Sequence, residues 1–95
     1  MVKHIVMWKL KDENKIENAN KIKELLEALK TKLDIIKELE VGINENGGEY
    51  DLILITAFND FEDLKTYDTD EEHCKVKDFI KQRVTSRIAA DYTAY

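Results

Sequence analysis

The sequence predicts an α+β fold of order β-α-β-β-α-β around a four-stranded antiparallel sheet. Three observations carry the prediction. Residues 2–11 (VKHIVMWKLK) and 50–58 (YDLILITAF) hold apolar side chains on both alternating sets of positions, as strands buried on two faces do. Ile16, Ala19, Ile22, Leu26, Leu29 and Leu33 step by threes and fours, with Lys, Glu and Asn between them, which describes an amphipathic helix laid on a sheet. Tyr67 to Ile80 (YDTDEEHCKVKDFI) carries the strongest helix start of the second half. This order is the split ferredoxin-like arrangement, in which the first and third strands are central.

In the first strand, His4, Val6, Trp8 and Leu10 share one face, and Lys3, Ile5, Met7 and Lys9 share the other. Asp12-Glu13-Asn14 is a polar break, and Asn14 to Glu17 has the spacing of a cap pair for the first helix. Residues 36–43 (IKELEVGI) alternate, with Leu39, Val41 and Ile43 inward, so the second strand has one wet face. NENGGE at 44–49 is a turn whose glycines supply positive φ; it lacks the spacing and following helix of a phosphate loop. After the strand at 50–58, Asn59 or Asp60 caps a short helix carrying Phe61, Leu64 and Tyr67.

Thr69 and Glu72 then match a capping box, and Asp70, Glu71 and Glu72 suit the positive end of a helix beginning near residue 70. Val76, Phe79, Ile80 and Val84 form its buried stripe; His73 falls near that stripe and Cys74 away from it. RIAADYTAY at 87–95 is the last strand, with Ile88, Ala90, Tyr92 and Ala94 opposed to Arg87, Ala89, Asp91 and Thr93. Two helices cover only one face of this sheet, and a second copy of the chain is the economical cover for the other. Pairing sheet on sheet makes a homodimeric α/β barrel.

Composition bounds the function. Ninety-five residues make one thin-cored domain. A net charge of −5, with no basic stripe interleaved with aromatics, argues against nucleic acid as a partner. No apolar run reaches membrane-spanning length, so no membrane partner is expected. The chain enters its first strand with no charged leader or apolar h-region, which makes a cytoplasmic location the expectation. The single cysteine cannot make an internal disulfide, and acidic neighbours of Cys74 disfavour a thiolate. The acidic run Asp68, Asp70, Glu71 and Glu72 lacks the glycine and terminal glutamate of a calcium loop, so a helix start explains it better than a metal site.

The candidate interior polar groups are His4, Tyr67 and His73. If the strand face bearing His4, Val6 and Trp8 is the helix-covered one, both histidines meet in a cleft between sheet and helix. A neutral imidazole there takes a proton α to a carbonyl, and a phenol donates a hydrogen bond to the resulting enolate. The competing reading is a packed polar core in which each histidine is satisfied by a neighbour.

VKHIVMWKLKDE, EVGIN, YDLILITAF, the six-residue step from Tyr67 to His73 and the closing DYTAY together resemble the stress-responsive A/B barrel (Dabb) family over essentially the whole chain. The resemblance implies a ferredoxin-like protomer that dimerises into an α/β barrel; most bacterial relatives have no known activity. Plant polyketide cyclases similar to the family use a histidine base with a tyrosine partner and neither metal nor organic cofactor. Those roles would fall on His73 and Tyr67, with His4 matching the first-strand histidine. Asp70 departs from them, since the cyclases carry a further histidine there. The expectation is a homodimer of undefined physiological role with a pocket for a small carbonyl-bearing or aromatic ligand. Its enzymatic alternative is a cofactor-free aldol-type cyclase, lyase or isomerase. Related dimeric barrels perform cofactor-independent monooxygenation or handle haem, and a Soret band would mark the haem class.

Overall fold

The computed structural model describes residues 1–95. Its elements are β1 (Val2–Leu10), α1 (Lys15–Lys32), β2 (Glu38–Ile43), β3 (Leu52–Phe58), α2 (Phe61–Thr69), α3 (Glu71–Lys81) and β4 (Val84–Thr93). The four strands form one antiparallel sheet in the order β2-β3-β1-β4. This is the ferredoxin-like arrangement, with the two most apolar strands at its centre. The molecule measures 36 × 27 × 18 Å, and its thin dimension is one sheet plus one helix layer.

Register decides which side chains meet the helices. Val2, His4, Val6 and Trp8 of β1 lie opposite Phe58, Thr56, Leu54 and Leu52 of β3, and all eight are buried. From above, α1 contributes Ala19, Ile22, Leu26 and Leu29, α2 contributes Leu64 and Tyr67, and α3 contributes Val76 and Ile80. The other sheet face carries rows such as Gly42–Ile53–Met7–Ile88 and Glu40–Ile55–Ile5–Ala90. Ile5, Met7, Ile53 and Ile55 remain half-buried there, while Ile88 and Tyr92 are exposed.

Several local expectations are corrected. The short helix and the helix beginning near residue 70 are separate as expected, Asp70 being extended (φ −61°, ψ 138°) between α2 and α3, but the details of their caps and stripes differ. Thr69 is not the cap: it ends α2, and its hydroxyl donates back to the Lys65 carbonyl at 3.2 Å. The Asp70 carboxylate caps α3 by accepting from the backbone N–H groups of Glu72 and His73 at 2.9 and 3.1 Å. Asn14 precedes α1 in the left-handed region (φ 52°) and makes no side-chain cap, and Ile16, in the first turn of α1, is exposed. Phe61 is likewise exposed in the first turn of α2. Ile43, at the end of the edge strand β2, is also exposed, and Leu39 is only half-buried.

Val84 leaves the helical stripe altogether. α3 stops at Lys81, and a register shift between Lys9 and Leu10 sets Val84 opposite Leu10, so β4 begins earlier than its alternation predicts. Gly47 and Gly48 adopt φ of 73° and 107° in the β2–β3 turn, a conformation that side chains resist. Asp60 is the cap of α2, its carboxylate accepting from the Asp63 N–H at 2.8 Å.

Candidate functional site

The site lies where helices cover β1 but not its edge neighbour. In β4, Arg87, Ala89 and Asp91 oppose Trp8, Val6 and His4, so they point to the helix side of the sheet, yet all three are exposed. The gap between β4 and α3 is an open cavity of ≈ 430 Å³, within the size range of ligand pockets. Its floor is Val6, Trp8 and Leu54 from the sheet, and its walls include Leu26, Ile80 and Val84. His4 and His73 both line it.

His73 is held by the helix junction. Its ring nitrogen Nδ1 lies 2.8 Å from the backbone carbonyl of Tyr67, and its ring stacks on the Tyr67 ring at 3.8 Å and 20°. A carbonyl oxygen only accepts, so Nδ1 carries the proton and donates. In the neutral ring, Nε2 is then the nitrogen with a free lone pair. Burial is the largest influence on its acidity and lowers the His73 pKa from 6.5 to about 4. The hydrogen bond to Tyr67 opposes that shift, Lys77 and His4 assist it, and Asp68 opposes it. The carboxylates of Glu71 and Glu72, expected from the sequence to favour the imidazolium, are not among the causes.

The histidine of β1 is oriented from the opposite side. Its Nδ1 donates to the Asp91 carboxylate across the β1–β4 pair, and its own carbonyl accepts from the Thr56 hydroxyl at 3.2 Å. Asp91 was only one member of an alternating strand in the sequence; its role follows from a strand register that pairs it with His4. The signal was present, but it needed the partner strand to be read.

Tyr67 is placed differently from the expectation. It is fully buried and does not line the cavity; its ring is wedged among His73, Phe58 at 5.0 Å and His4 at 6.2 Å. Its hydroxyl has no hydrogen-bond partner in the protein. Burial first, then the charge of Asp68, pushes the phenol well above its usual range against the opposing pull of Arg87, so it stays protonated. Tyr67 therefore offers a buried O–H donor behind the histidines.

Sequence reasoning also missed the charged rim. Asp68, Lys77, Lys81 and Arg87 border the cavity, and Lys77 is committed to Asp68 through its carbonyl (2.8 Å) and its carboxylate (3.2 Å). Cys74 is only partly exposed, and its sulfur faces the Asp68 carbonyl at 3.8 Å. No group of three or more His, Cys, Asp or Glu residues is arranged to hold a metal ion.

Comparison with known proteins fits this architecture. The stress responsive A/B barrel domain profile matches residues 2–94, nearly the entire chain. The chain belongs to the Dabb family. Among solved structures, this Dabb chain is similar to a dimeric protein of unknown function and ferredoxin-like fold from Bacteroides fragilis. The two are 36% identical, covering 96% of this chain and 93% of that one, with a TM-score of 0.89. A hydroxynitrile lyase from Passiflora edulis is 13% identical, with 96% and 90% coverage and a TM-score of 0.85. An antibiotic biosynthesis monooxygenase is 14% identical, with 100% and 99% coverage and a TM-score of 0.83. The last two likenesses show the fold alone, and a fold that hosts both a lyase and a monooxygenase does not choose a reaction. No curated protein matches the chain significantly. No helix is long and apolar enough to cross a membrane.

Proposed function

We propose that this Dabb protein acts as a homodimer whose cavity binds a small carbonyl-bearing molecule and removes a proton α to the carbonyl with side chains alone. The observation that carries the proposal is the hydrogen bond from His73 Nδ1–H to the Tyr67 carbonyl. It fixes the tautomer and keeps the Nε2 lone pair for a ligand. A base whose conjugate acid has a pKa of about 4 is fully available at neutral pH but weak. It therefore suits a C–H bond already acidified by two flanking carbonyls more than one beside a simple ketone.

Proton balance is simple. His73 Nε2 takes the carbon-bound proton, the electron pair moves into the carbonyl oxygen, and an O–H donor stabilises the enolate. We assign that last role to Tyr67, whose unpartnered hydroxyl lies off the cavity wall behind the two histidines, so the ligand oxygen must enter between His4 and His73 to reach it. The role assignment agrees with the resemblance to the polyketide cyclases. The dimeric state is supported by the dimeric Bacteroides fragilis relative and by the apolar sheet face left open in one protomer.

The test is loss of deuterium from the central carbon of a 1,3-dicarbonyl probe at neutral pH, measured above buffer background. His73→Ala should abolish the enzyme-dependent rate. Tyr67→Phe should lower it by about tenfold or more, yet leave stability unchanged or increased, because it removes a buried hydroxyl that no protein group satisfies. A wild-type rate equal to buffer, together with a marked stability loss in Tyr67→Phe, would identify a packed polar core instead.

A further inference from the structure

The chain is acidic, with 20 Asp and Glu against 15 Lys and Arg, but the rim of its cavity is not. Three cations, Lys77, Lys81 and Arg87, border the cavity against one carboxylate, Asp68. Lys77 neutralises Asp68 directly. Lys81 and Arg87 make no ion pair and no side-chain hydrogen bond with the protein.

Arg87 is placed by register and not by chance of rotamer. It lies opposite Trp8 on the cavity side of β4, one step from the pair formed by Val6 and Ala89. It also borders a second depression of ≈ 380 Å³ that shares His4 and Asp68 with the main cavity. Arg87 thus borders both the apolar-floored cavity and the depression beside it. Lys81, the last residue of α3, approaches the same mouth from the helix layer.

We propose that the ligand is an amphiphilic monocarboxylate, with its apolar or aromatic body on Val6, Trp8 and Leu54 and its carboxylate at Arg87 and Lys81. A guanidinium matches a carboxylate through paired N–H donors, and an ammonium adds a second charge without a geometric demand. A dianion such as a phosphate monoester fits less well, because with Lys77 committed to Asp68 only two cations are free to face it. The inference rests on the functional reading above, since it concerns the same cavity, and it names what that cavity selects. For proton abstraction the fitting substrate class is a dioxo acid, anchored by its carboxylate while the C–H between its two carbonyls is presented to His73.

The experiment compares ω-phenyl carboxylates of graded length with their neutral amides and with the corresponding alkyl phosphates. Binding is read by calorimetry and by the ring resonances of His4 and His73. In the wild type, the best acid should bind about tenfold more tightly than its amide, the scale of one charge-assisted hydrogen bond. High salt should erase that preference. Arg87→Gln combined with Lys81→Gln should lose the preference while keeping the amide affinity, and both sites are exposed enough for the fold to tolerate the change.

Equal binding of acid and amide, both shifting the histidine resonances, overturns the carboxylate inference while leaving the site reading intact. So does a phosphate that outbinds the acid. Failure of every probe to bind or to move either histidine overturns the inference and the site reading together.

Discussion

His73 joins the chemistry of the site to the stability of the fold. Folded, its pKa is about 4; unfolded, it returns to about 6.5. Between those values the unfolded chain binds more protons than the native one. The stability conferred by keeping this ring neutral is therefore complete above about pH 6.5, falls as pH drops towards about 4, and changes no further below. One pKa unit corresponds to about 1.4 kcal/mol, so the full loss is about 3 kcal/mol. Urea denaturation of wild type and His73→Asn at neutral and mildly acidic pH checks this. The wild type should lose more stability on acidification than the variant. An identical pH dependence in the two proteins would mean that the buried ring titrates normally.

At the scale of elements, the α2–α3 junction determines where that ring sits. Six residues separate Tyr67 from His73, and within them α2 ends, Asp70 extends the chain and caps α3, and His73 folds back onto the Tyr67 carbonyl and ring. Asp70 satisfies two backbone donors, including the N–H of His73 itself. Asp70→Ala should cost about 1 kcal/mol, as lost helix caps do, and should broaden or shift the His73 ring resonances. Thr69→Ala should cost less, since that hydroxyl only returns to carbonyls of its own helix. Equal losses would restore Thr69 as the working cap. The serial pattern T-x-x-E was legible as a helix start, but two adjacent acceptors compete for one turn. Backbone geometry at residue 70 awards it to the aspartate.

The whole molecule presents one sheet face to its helices and leaves the other apolar. On the open face Ile5 pairs with Ile55 and Ala90, and Met7 with Ile53 and Ile88, which makes a contiguous patch across three strands. The proposed homodimer would cover it, with about 800 Å² buried per protomer as a standard interface. Sedimentation at micromolar concentration should give a dimer. Met7→Glu combined with Ile55→Glu should shift it to monomer, because unpaired carboxylates would be desolvated in the contact. A wild-type monomer that stays soluble at the same concentration would sink the proposal. Helix-side chemistry and sheet-side assembly are therefore separable by mutation.

Much of this was determined by the sequence alone. Period-two and period-three-to-four patterns identified every strand, the long helix and the inward phase of His73, because burial of alternate or stepped side chains is a property of each element by itself. The central places of β1 and β3 followed from the β-α-β-β-α-β order and agreed with their two-sided apolar character. Tertiary structure decided what depends on neighbours in space. The Asp91 partner of His4 and the Arg87 at the cavity mouth follow from the register between β1 and β4, whose residues lie at opposite ends of the chain. The sealing of Tyr67 behind His73 depends on how α2 and α3 meet Phe58, and the lowered pKa of His73 depends on how much water that packing removes. Alternation sets which face a side chain takes, but its exposure, charge and partner are set by what the other elements bring to that face.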